Sequence, residues 1–113
     1  MSDDCLFCRL IRGEIPAKFV AQTAECVAFR DINPQAPTHI VIVPRAHIPT
    51  LSDVKDPLIV GQMTDLAAQL AKSEGIAESG YRVVVNTNRD GGQTVFHLHM
   101  HLLGGRRMGW PPG

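Results

Sequence analysis

The chain has 113 residues, with 11 basic and 11 acidic side chains and therefore no formal net charge at pH 7. This length fits one domain over residues 1–113, and the balanced charge argues against bulk binding to nucleic acid or to a membrane surface. The acidic N-terminus precedes no long apolar run, so we expect no signal peptide, no transmembrane span and a cytoplasmic location.

The first predicted element is a short helix with an apolar stripe. Asp3 or Asp4 can cap its start, and Gly13 ends it. The stripe consists of Leu6, Phe7, Leu10 and Ile11. Because Pro16 follows, the helix cannot continue further along the chain.

Three strands are predicted next. The runs 19–22 and 26–30 are joined by a short polar turn and predict a hairpin. Cys26 lies in an apolar run and is interpreted as a small buried hydrophobe. A proline-punctuated loop over 31–37 then leads to the β-branched segment 38–44, which we expect to be a central strand.

A long helix is predicted after Asp56 and Pro57, because aspartate suits a cap and proline suits the first helical position. Gly75 ends it. The apolar residues recur at helical spacing and define a stripe of Ile59, Met63, Leu66, Ala67 and Leu70.

Two further strands are expected at 81–86 and 95–103, separated by a loop of turn residues at 87–93. The connections are mostly short and only one long helix intervenes. We therefore predict an α+β fold with a five-stranded antiparallel sheet, one short N-terminal helix and one long helix. The proline-rich tail 106–113 is too short for an element but can dock on the domain or a partner.

The last strand contains the most informative motif, His97-Leu98-His99-Met100-His101. Because side chains alternate along a strand, the three imidazoles are predicted to project from one face. The apolar residues between and around them form the opposite face; these are Phe96, Leu98, Met100 and Leu102. The segment is interpreted as a strand with its back in the core and its front at a reactive site.

An imidazole nitrogen is a competent nucleophile at neutral pH, and a neighbouring imidazole can protonate a leaving group. This combination suits transfer of a phosphoryl-type group through a phosphohistidine, with the central histidine as the nucleophile. Gly91-Gly92 and Gly104-Gly105 flank the motif and would let backbone N–H groups approach phosphate oxygens. Two alternatives stay open from the strand alone: three solvated histidines, or a catalytic zinc bound by two or three of them.

The motif resembles the His-φ-His-φ-His-φ-φ signature of the histidine triad (HIT) nucleotide-binding proteins, where φ is apolar. Further segments are similar to the Hint branch, the purine nucleoside phosphoramidases. They are Cys5 to Ala17, Asp31 to His39, Asn86, Gly91 to Gln93 and the tail from Gly104 to Gly113, which ends in Trp-Pro-Pro-Gly.

The resemblance implies a role for each histidine. His99 would attack the α-phosphorus while a backbone carbonyl holds its other ring nitrogen. His101 would contact the phosphate or the leaving group, and His39 would belong to a supporting histidine network. Thr94 stands where the branch usually has serine and retains a hydroxyl that can bond the leaving nitrogen.

The resemblance also implies a nucleotide site. Asp31 would accept hydrogen bonds from both ribose hydroxyls, although aspartate before a proline-containing loop is often only a turn residue. The apolar purine slot would comprise Leu6, Phe7, Leu10, Phe29 and Ile32, each of which by pattern alone could equally belong to the core. Asn86, Gly92, Gln93 and Val95 complete the predicted nucleotide contacts, while Arg30 replaces a frequent histidine and leaves the base preference open.

Cys5 and Cys8 have the spacing of a zinc knuckle, but two cysteines alone are a weak signal and could be reduced thiols. Several bacterial HIT proteins complete such a site with a histidine after the central strand and the first histidine of the triad. The resemblance therefore implies that His47 and His97 join them in a closed, structural zinc site, without an organic cofactor.

Together these features predict a homodimeric hydrolase that splits the P–N bond of purine nucleoside phosphoramidates. The long helix and the 81–86 strand are the candidate dimer interface, with Trp110 reaching toward the partner's site. Two alternatives remain: a nucleotide-binding regulatory module with incidental turnover, and a hydrolase of dinucleoside polyphosphates.

Overall fold

A five-stranded antiparallel sheet forms the centre of the computed structural model, which describes residues 4–113. The strands are β1 (Phe19–Gln22), β2 (Cys26–Arg30), β3 (Thr38–Pro44), β4 (Tyr81–Val84) and β5 (Met100–Gly104). Their order across the sheet is β1-β2-β3-β5-β4, and every neighbouring pair is antiparallel. The predicted α+β fold and the central position of β3 are confirmed.

Three α-helices occur among the described residues, one more than the sequence pattern predicts. They are α1 (Leu6–Ile11), α2 (Leu58–Ser73) and α3 (Asn88–Gly91), and a 3-10 turn covers Leu51–Asp53. The additional helix is a single turn inside the loop predicted at 87–93. It is too short to show apolar periodicity, and Gly92 ends it with φ +83°.

Helix α1 begins differently from the prediction. Its N-cap is Cys5, whose Sγ accepts the N–H of Cys8 at 3.4 Å, so Asp4 is not the cap. The alternative cap, Asp3, lies outside the described residues. Phe7 and Leu10 are buried as expected, whereas Leu6 is 45% exposed.

Strand β3 is buried along its whole length because helices cover both faces of the sheet. Ile40 and Ile42 pack in one apolar cluster with α2, and Val41 and Val43 pack in a second cluster with α1. The predicted stripe of α2 faces the first cluster, with Met63, Leu66, Ala67 and Leu70 buried and Ile59 partly buried. Pro57 is the N-cap of α2 and not its first helical residue.

The histidine segment departs from the predicted strand 95–103, since regular pairing starts only at Met100. Pairing with β3 ends at Ile42↔Met100 because Pro44 has no N–H to donate. The Leu98 N–H instead bonds the Ile48 carbonyl at 2.6 Å. Phe96 is 50% exposed and does not join the apolar back, which is a correction to the predicted alternation.

Strand β4 is also shorter than predicted, ending at Val84 and not at residue 86. The tail 106–113 forms no helix or strand. It is fixed at two points, where Arg106 Nε donates to the Gln35 carbonyl at 3.0 Å and Arg82 Nη2 donates to the Gly109 carbonyl at 2.8 Å. Its Trp110 side chain is 84% exposed.

Candidate active site

A cavity of about 350 Å³ lies between α1 and the sheet face that carries the histidines. Its walls include the five residues of the predicted purine slot, together with Asp31, Thr94, Val95, His99 and His101. Phe7, Leu10 and Phe29 are buried, whereas Ile32 is 100% exposed at the rim. The sequence prediction thus brings an apolar slot and two triad histidines together in one cavity.

The cavity has further wall residues that sequence reasoning missed. They are Ile15, Pro16, Ala17 and Val41, while Arg30, which the sequence pattern links to base preference, also lines the wall. Ala17 and Val41 resemble ordinary core residues in the sequence, and their place in the wall follows only from the way α1 and the chain after it cross the sheet. The spacing of apolar residues alone carried no signal for them.

His99 is oriented by a hydrogen bond to its own chain segment. Its Nδ1 lies 2.7 Å from the backbone carbonyl oxygen of His97. A carbonyl oxygen can only accept, so Nδ1 carries the proton of the neutral ring and Nε2 keeps its lone pair. The ring is buried and packs edge-on against Phe7, with ring centroids 5.0 Å apart.

A chain of hydrogen bonds assigns the protons of His39 and His101 in the same way. The Gln35 N–H donates to His39 Nδ1 at 3.0 Å, so His39 carries its proton on Nε2. That nitrogen lies 2.8 Å from His101 Nδ1 and 3.4 Å from Asp31 Oδ2. His101 therefore accepts at Nδ1 and carries its own proton on Nε2.

The surroundings of His39 and His101 keep both rings neutral. Burial lowers the pKa of His101 to about 4, with further lowering from the nearby His99 and His39 and an opposing effect of the Asp31 carboxylate. Burial also lowers the pKa of His39, again opposed by Asp31. An anionic phosphate in the cavity would raise the pKa of His101, because negative charge favours the imidazolium.

Asp31, His39 and His101 lie close enough together to be considered as a metal site. The hydrogen bonds argue against it, because a metal on His39 Nε2 would force the proton onto Nδ1, which faces the Gln35 N–H. Two donors would then oppose each other. We interpret the group as a hydrogen-bonded relay.

A second group, Cys5, Cys8, His47 and His97, is arranged as metal ligands. One ligand atom from each lies within 4.8 Å of the others. His97 Nδ1 is 3.4 Å from Cys5 Sγ and 3.5 Å from Cys8 Sγ, and His47 Nδ1 is 3.2 Å from Cys8 Sγ. These separations suit a tetrahedral zinc, for which bonds of about 2.0–2.1 Å to nitrogen and 2.3 Å to sulfur place the ligands about 3.5 Å apart.

The environment of His97 supports this assignment. Its Nε2 donates to the Pro44 carbonyl at 2.8 Å, which leaves the Nδ1 lone pair directed at the two sulfurs. Burial lowers the pKa of His97, so the ring is neutral, as a metal ligand must be. Burial, together with the neighbouring Cys5, raises the pKa of the Cys8 thiol to about 11, so metal binding there has to displace protons.

A HIT domain model matches residues 12–108 of the chain. The chain belongs to the HIT family. The predicted family, its fold and the prediction of a HIT-family enzyme are thereby confirmed. One of the three triad histidines lies with Cys5, Cys8 and His47 in a group that could hold a metal, while the other two line the cavity.

Related sequences and structures agree with this assignment. Purine nucleoside phosphoramidase of Escherichia coli strain K12 is 53% identical over 111 residues, which is 96% of this HIT chain and 93% of the relative. A HIT family hydrolase from Legionella pneumophila Philadelphia 1 has a TM-score of 0.94 at 52% identity, over 97% of this chain and 100% of that one. A histidine triad protein from Clostridium difficile has a TM-score of 0.93 at 40% identity, over 96% of each chain.

Three predicted nucleotide contacts of the HIT chain do not line the cavity. Asn86 and Gly92 lie outside its walls. Gln93 is buried, where its Nε2 donates to the Pro49 and Val95 carbonyls at 2.8 and 3.1 Å, and its Oε1 accepts the Asn88 N–H at 2.9 Å. The side chain of Gln93 therefore fixes the loop that carries Thr94.

Arg30 lies at the edge of the same cavity, but its guanidinium is directed to the other face of the sheet. It makes a two-pronged ion pair with Glu74, the C-cap of α2, at 2.5 and 2.9 Å. This pair raises the pKa of Arg30 and lowers that of Glu74.

Within residues 4–113, no helix combines the length and the apolarity that a membrane crossing requires.

Proposed function

We propose that this HIT protein hydrolyses the P–N bond of purine nucleoside 5′-phosphoramidates, releasing a nucleoside monophosphate and an amine. The observation that carries the proposal is the 2.7 Å contact between His99 Nδ1 and the His97 carbonyl, which directs the Nε2 atom of the ring into an apolar cavity as the nitrogen with the lone pair. The name of the E. coli relative, purine nucleoside phosphoramidase, supports the same reaction.

The nucleotide would bind with its purine between α1 and β2. Phe7 and Phe29 form an edge-to-face pair with centroids 5.5 Å apart and supply apolar walls for a base. Asp31 would accept from the ribose hydroxyls. Its Oδ1 already accepts the Asn33 N–H at 2.8 Å, which holds the carboxylate in place and leaves lone pairs for the sugar.

In the first step, the lone pair of His99 Nε2 forms a bond to the α-phosphorus and the bond from phosphorus to the amine nitrogen breaks. Binding of the anionic phosphate raises the pKa of His101, so its ring enters this step as an imidazolium. The amine leaves with the electron pair of the broken bond and takes the Nε2 proton, which returns His101 to its neutral form. The Thr94 hydroxyl, in the same cavity, would bond the departing nitrogen. The product of this step is a nucleotidyl-histidine on His99.

In the second step, a water oxygen forms a bond to phosphorus and the bond from phosphorus to His99 Nε2 breaks. The water gives one proton back to His101 Nε2, which restores the starting state. The 2.8 Å contact between His39 Nε2 and His101 Nδ1 holds the His101 ring in position for both proton transfers. Acid and base roles thus fall to one imidazole in turn.

Zinc is the metal that the Cys5, Cys8, His47 and His97 donors fit best, because two thiolates and two imidazoles form a common structural zinc site. With four protein ligands, the ion would cross-link α1 to the segment before β5. Holding the His97 side chain also holds its backbone carbonyl, the acceptor of the His99 proton. This metal role is structural, and the reaction steps belong to the side chains.

We also propose that the protein is a homodimer formed through α2 and β4. Strand β4 is an edge of the sheet, and its Tyr81 and Val83 side chains are exposed. An edge strand with exposed apolar residues is a ready surface for pairing with a second copy. Sedimentation equilibrium at dimer mass is expected, and a monomer at micromolar concentration would contradict this interface.

The covalent step is tested with a radiolabelled or fluorogenic adenosine 5′-phosphoramidate. Rapid quench of wild type in alkaline denaturant, which preserves the acid-labile P–N bond to histidine, is expected to trap one nucleotide on the intact polypeptide, and peptide mapping to place it on His99. His99→Ala should trap none and lose turnover by more than about 10³-fold. A His99→Ala protein that cleaves at the wild-type rate would refute the mechanism. Wild type that binds AMP but does not cleave the phosphoramidate would favour a regulatory module.

A further inference from the structure

A second cavity begins where the nucleotide cavity ends. It encloses about 440 Å³, which is within the range of roughly 300–1,000 Å³ typical of small-molecule pockets. The two cavities share Leu6, Thr94 and Val95. The second is completed by Asp4, Cys5, His47, Pro49 and Phe96. Thr94 and Val95 directly precede the histidine segment, so the shared wall lies near the reacting end of the nucleotide.

The direction of attack determines where a leaving group goes. In phosphoryl-type transfer, the attacking and leaving atoms lie roughly in line on opposite sides of phosphorus. With His99 Nε2 on one side and the purine in the first cavity, the amine departs away from His99 and past Thr94. The space across Thr94 is the second cavity.

We propose that this second cavity binds the substituent of the leaving amine; the inference rests on the phosphoramidase function proposed above. The cavity is thus an amine subsite, joined to the nucleotide site through the Thr94 wall. Its walls select among amines, whereas the first cavity selects the nucleotide.

The lining indicates the chemical class of the amine. Leu6, Pro49, Val95 and Phe96 give apolar surface for an alkyl stem. The carboxylate of Asp4 is the acidic group in this lining, and Asp4 forms no salt bridge within residues 4–113. Two thiolates and two neutral imidazoles around a divalent zinc would sum to zero charge. The subsite is therefore suited to an amine with an apolar chain and a terminal ammonium group.

The test compares two adenosine 5′-phosphoramidates of equal length, one made from 1,5-diaminopentane and one from hexylamine. Wild type is expected to favour the diamine compound in kcat/KM by about two- to five-fold, as for an exposed ion pair. Asp4→Asn should remove that preference and leave the hexylamine compound and the Kd of AMP unchanged. Glu78→Gln, which removes an exposed carboxylate outside both cavities, is the matched control and should keep the preference.

A second variant tests the apolar wall. Phe96→Ala is expected to raise the KM of both compounds without changing the Kd of AMP, because AMP has no amine substituent. Phe96 is half-exposed, so its truncation leaves the core intact. An unchanged preference in Asp4→Asn, or unchanged KM values in Phe96→Ala, overturns the amine subsite alone. If wild type cleaves neither compound, the proposed function fails and the subsite fails with it.

Discussion

The His99 imidazole donates its Nδ1–H to the backbone carbonyl oxygen of His97, at 2.7 Å. The same His97 places its side chain against Cys5 and Cys8. One residue therefore belongs to both groups, with its ring in the proposed metal cluster and its carbonyl bonded to the proposed nucleophile. Substitution of the cluster residues is therefore expected to lower turnover, because it would displace the His97 carbonyl that orients His99.

Removing the metal ligands should lower both stability and turnover. Protein purified without added zinc is expected to contain about one zinc ion per chain, and Cys5→Ser/Cys8→Ser none, by elemental analysis. The variant should melt at a lower temperature, by roughly 4 °C for each kcal/mol lost, and show reduced kcat. Cys26→Ala, at the third cysteine, serves as control and should retain its zinc. Equal and negligible zinc in wild type and the double variant would refute the site.

Stability should fall in mild acid because of His101. Its pKa is about 4 in the folded protein against 6.5 for the free side chain. Below pH 6.5 the His101 side chain of the unfolded protein binds a proton, whereas that of the folded protein does not accept one until about pH 4. The neutral His101 therefore makes its full contribution to the free energy of unfolding above pH 6.5, and this contribution is lost as the pH falls from 6.5 to about 4. Chemical denaturation from pH 7 to pH 4 should show a shallower loss in His101→Gln, whose amide oxygen still accepts from His39. Identical slopes would contradict this account.

Asp31→Asn should weaken nucleotide binding by about 10- to 100-fold, since charge-assisted hydrogen bonds contribute about 1.5–3 kcal/mol. Calorimetry with AMP measures the loss. A 2′,3′-dideoxy analogue is the control, because it lacks both hydroxyls and should bind wild type and variant alike. An equal loss for both ligands would mean that Asp31 acts through His39 and not through the ribose.

Arg30 should stabilise the fold without contributing to the selection between adenine and guanine. Arg30→Ala removes the two-pronged pair with Glu74 and, because the pair is part-exposed, should cost no more than about 1 kcal/mol. The ratio of kcat/KM for adenosine and guanosine phosphoramidates should change by less than about two-fold. Glu74→Gln should reproduce the stability loss. A shifted base preference in Arg30→Ala would place the guanidinium in the purine slot.

The sequence predicted the sheet well because β-branched runs and short polar turns are local signals. The 38–44 strand and the α2 stripe are found where their patterns indicated. The start of β5 could not be predicted, because it depends on Pro44 in another strand ending the pairing. Alternation alone extended the histidine strand to residue 95 and assigned Phe96 to the core.

The site was predicted through the resemblance to HIT proteins more than through the residues alone. The triad by itself allowed a nucleophile or a metal site, and the fold has a place for each, with His97 beside the cysteines and His99 in the cavity. The tautomers could not be predicted, because they depend on the Gln35 N–H and the His97 carbonyl. The burial of the Gln93 side chain, which is predicted as a nucleotide contact, could not be predicted from the sequence either.

That buried Gln93 amide has a practical consequence for protein engineering. The Gln93 side chain hydrogen-bonds three backbone segments, at Pro49, Asn88 and Val95. Gln93 therefore determines the position of Thr94 and Val95, although it lines neither cavity. Libraries that vary Thr94 and Val95 would test the proposed amine subsite while the loop keeps its course. A screen that randomised Gln93 as though it were a contact would lose the loop itself and return inactive clones.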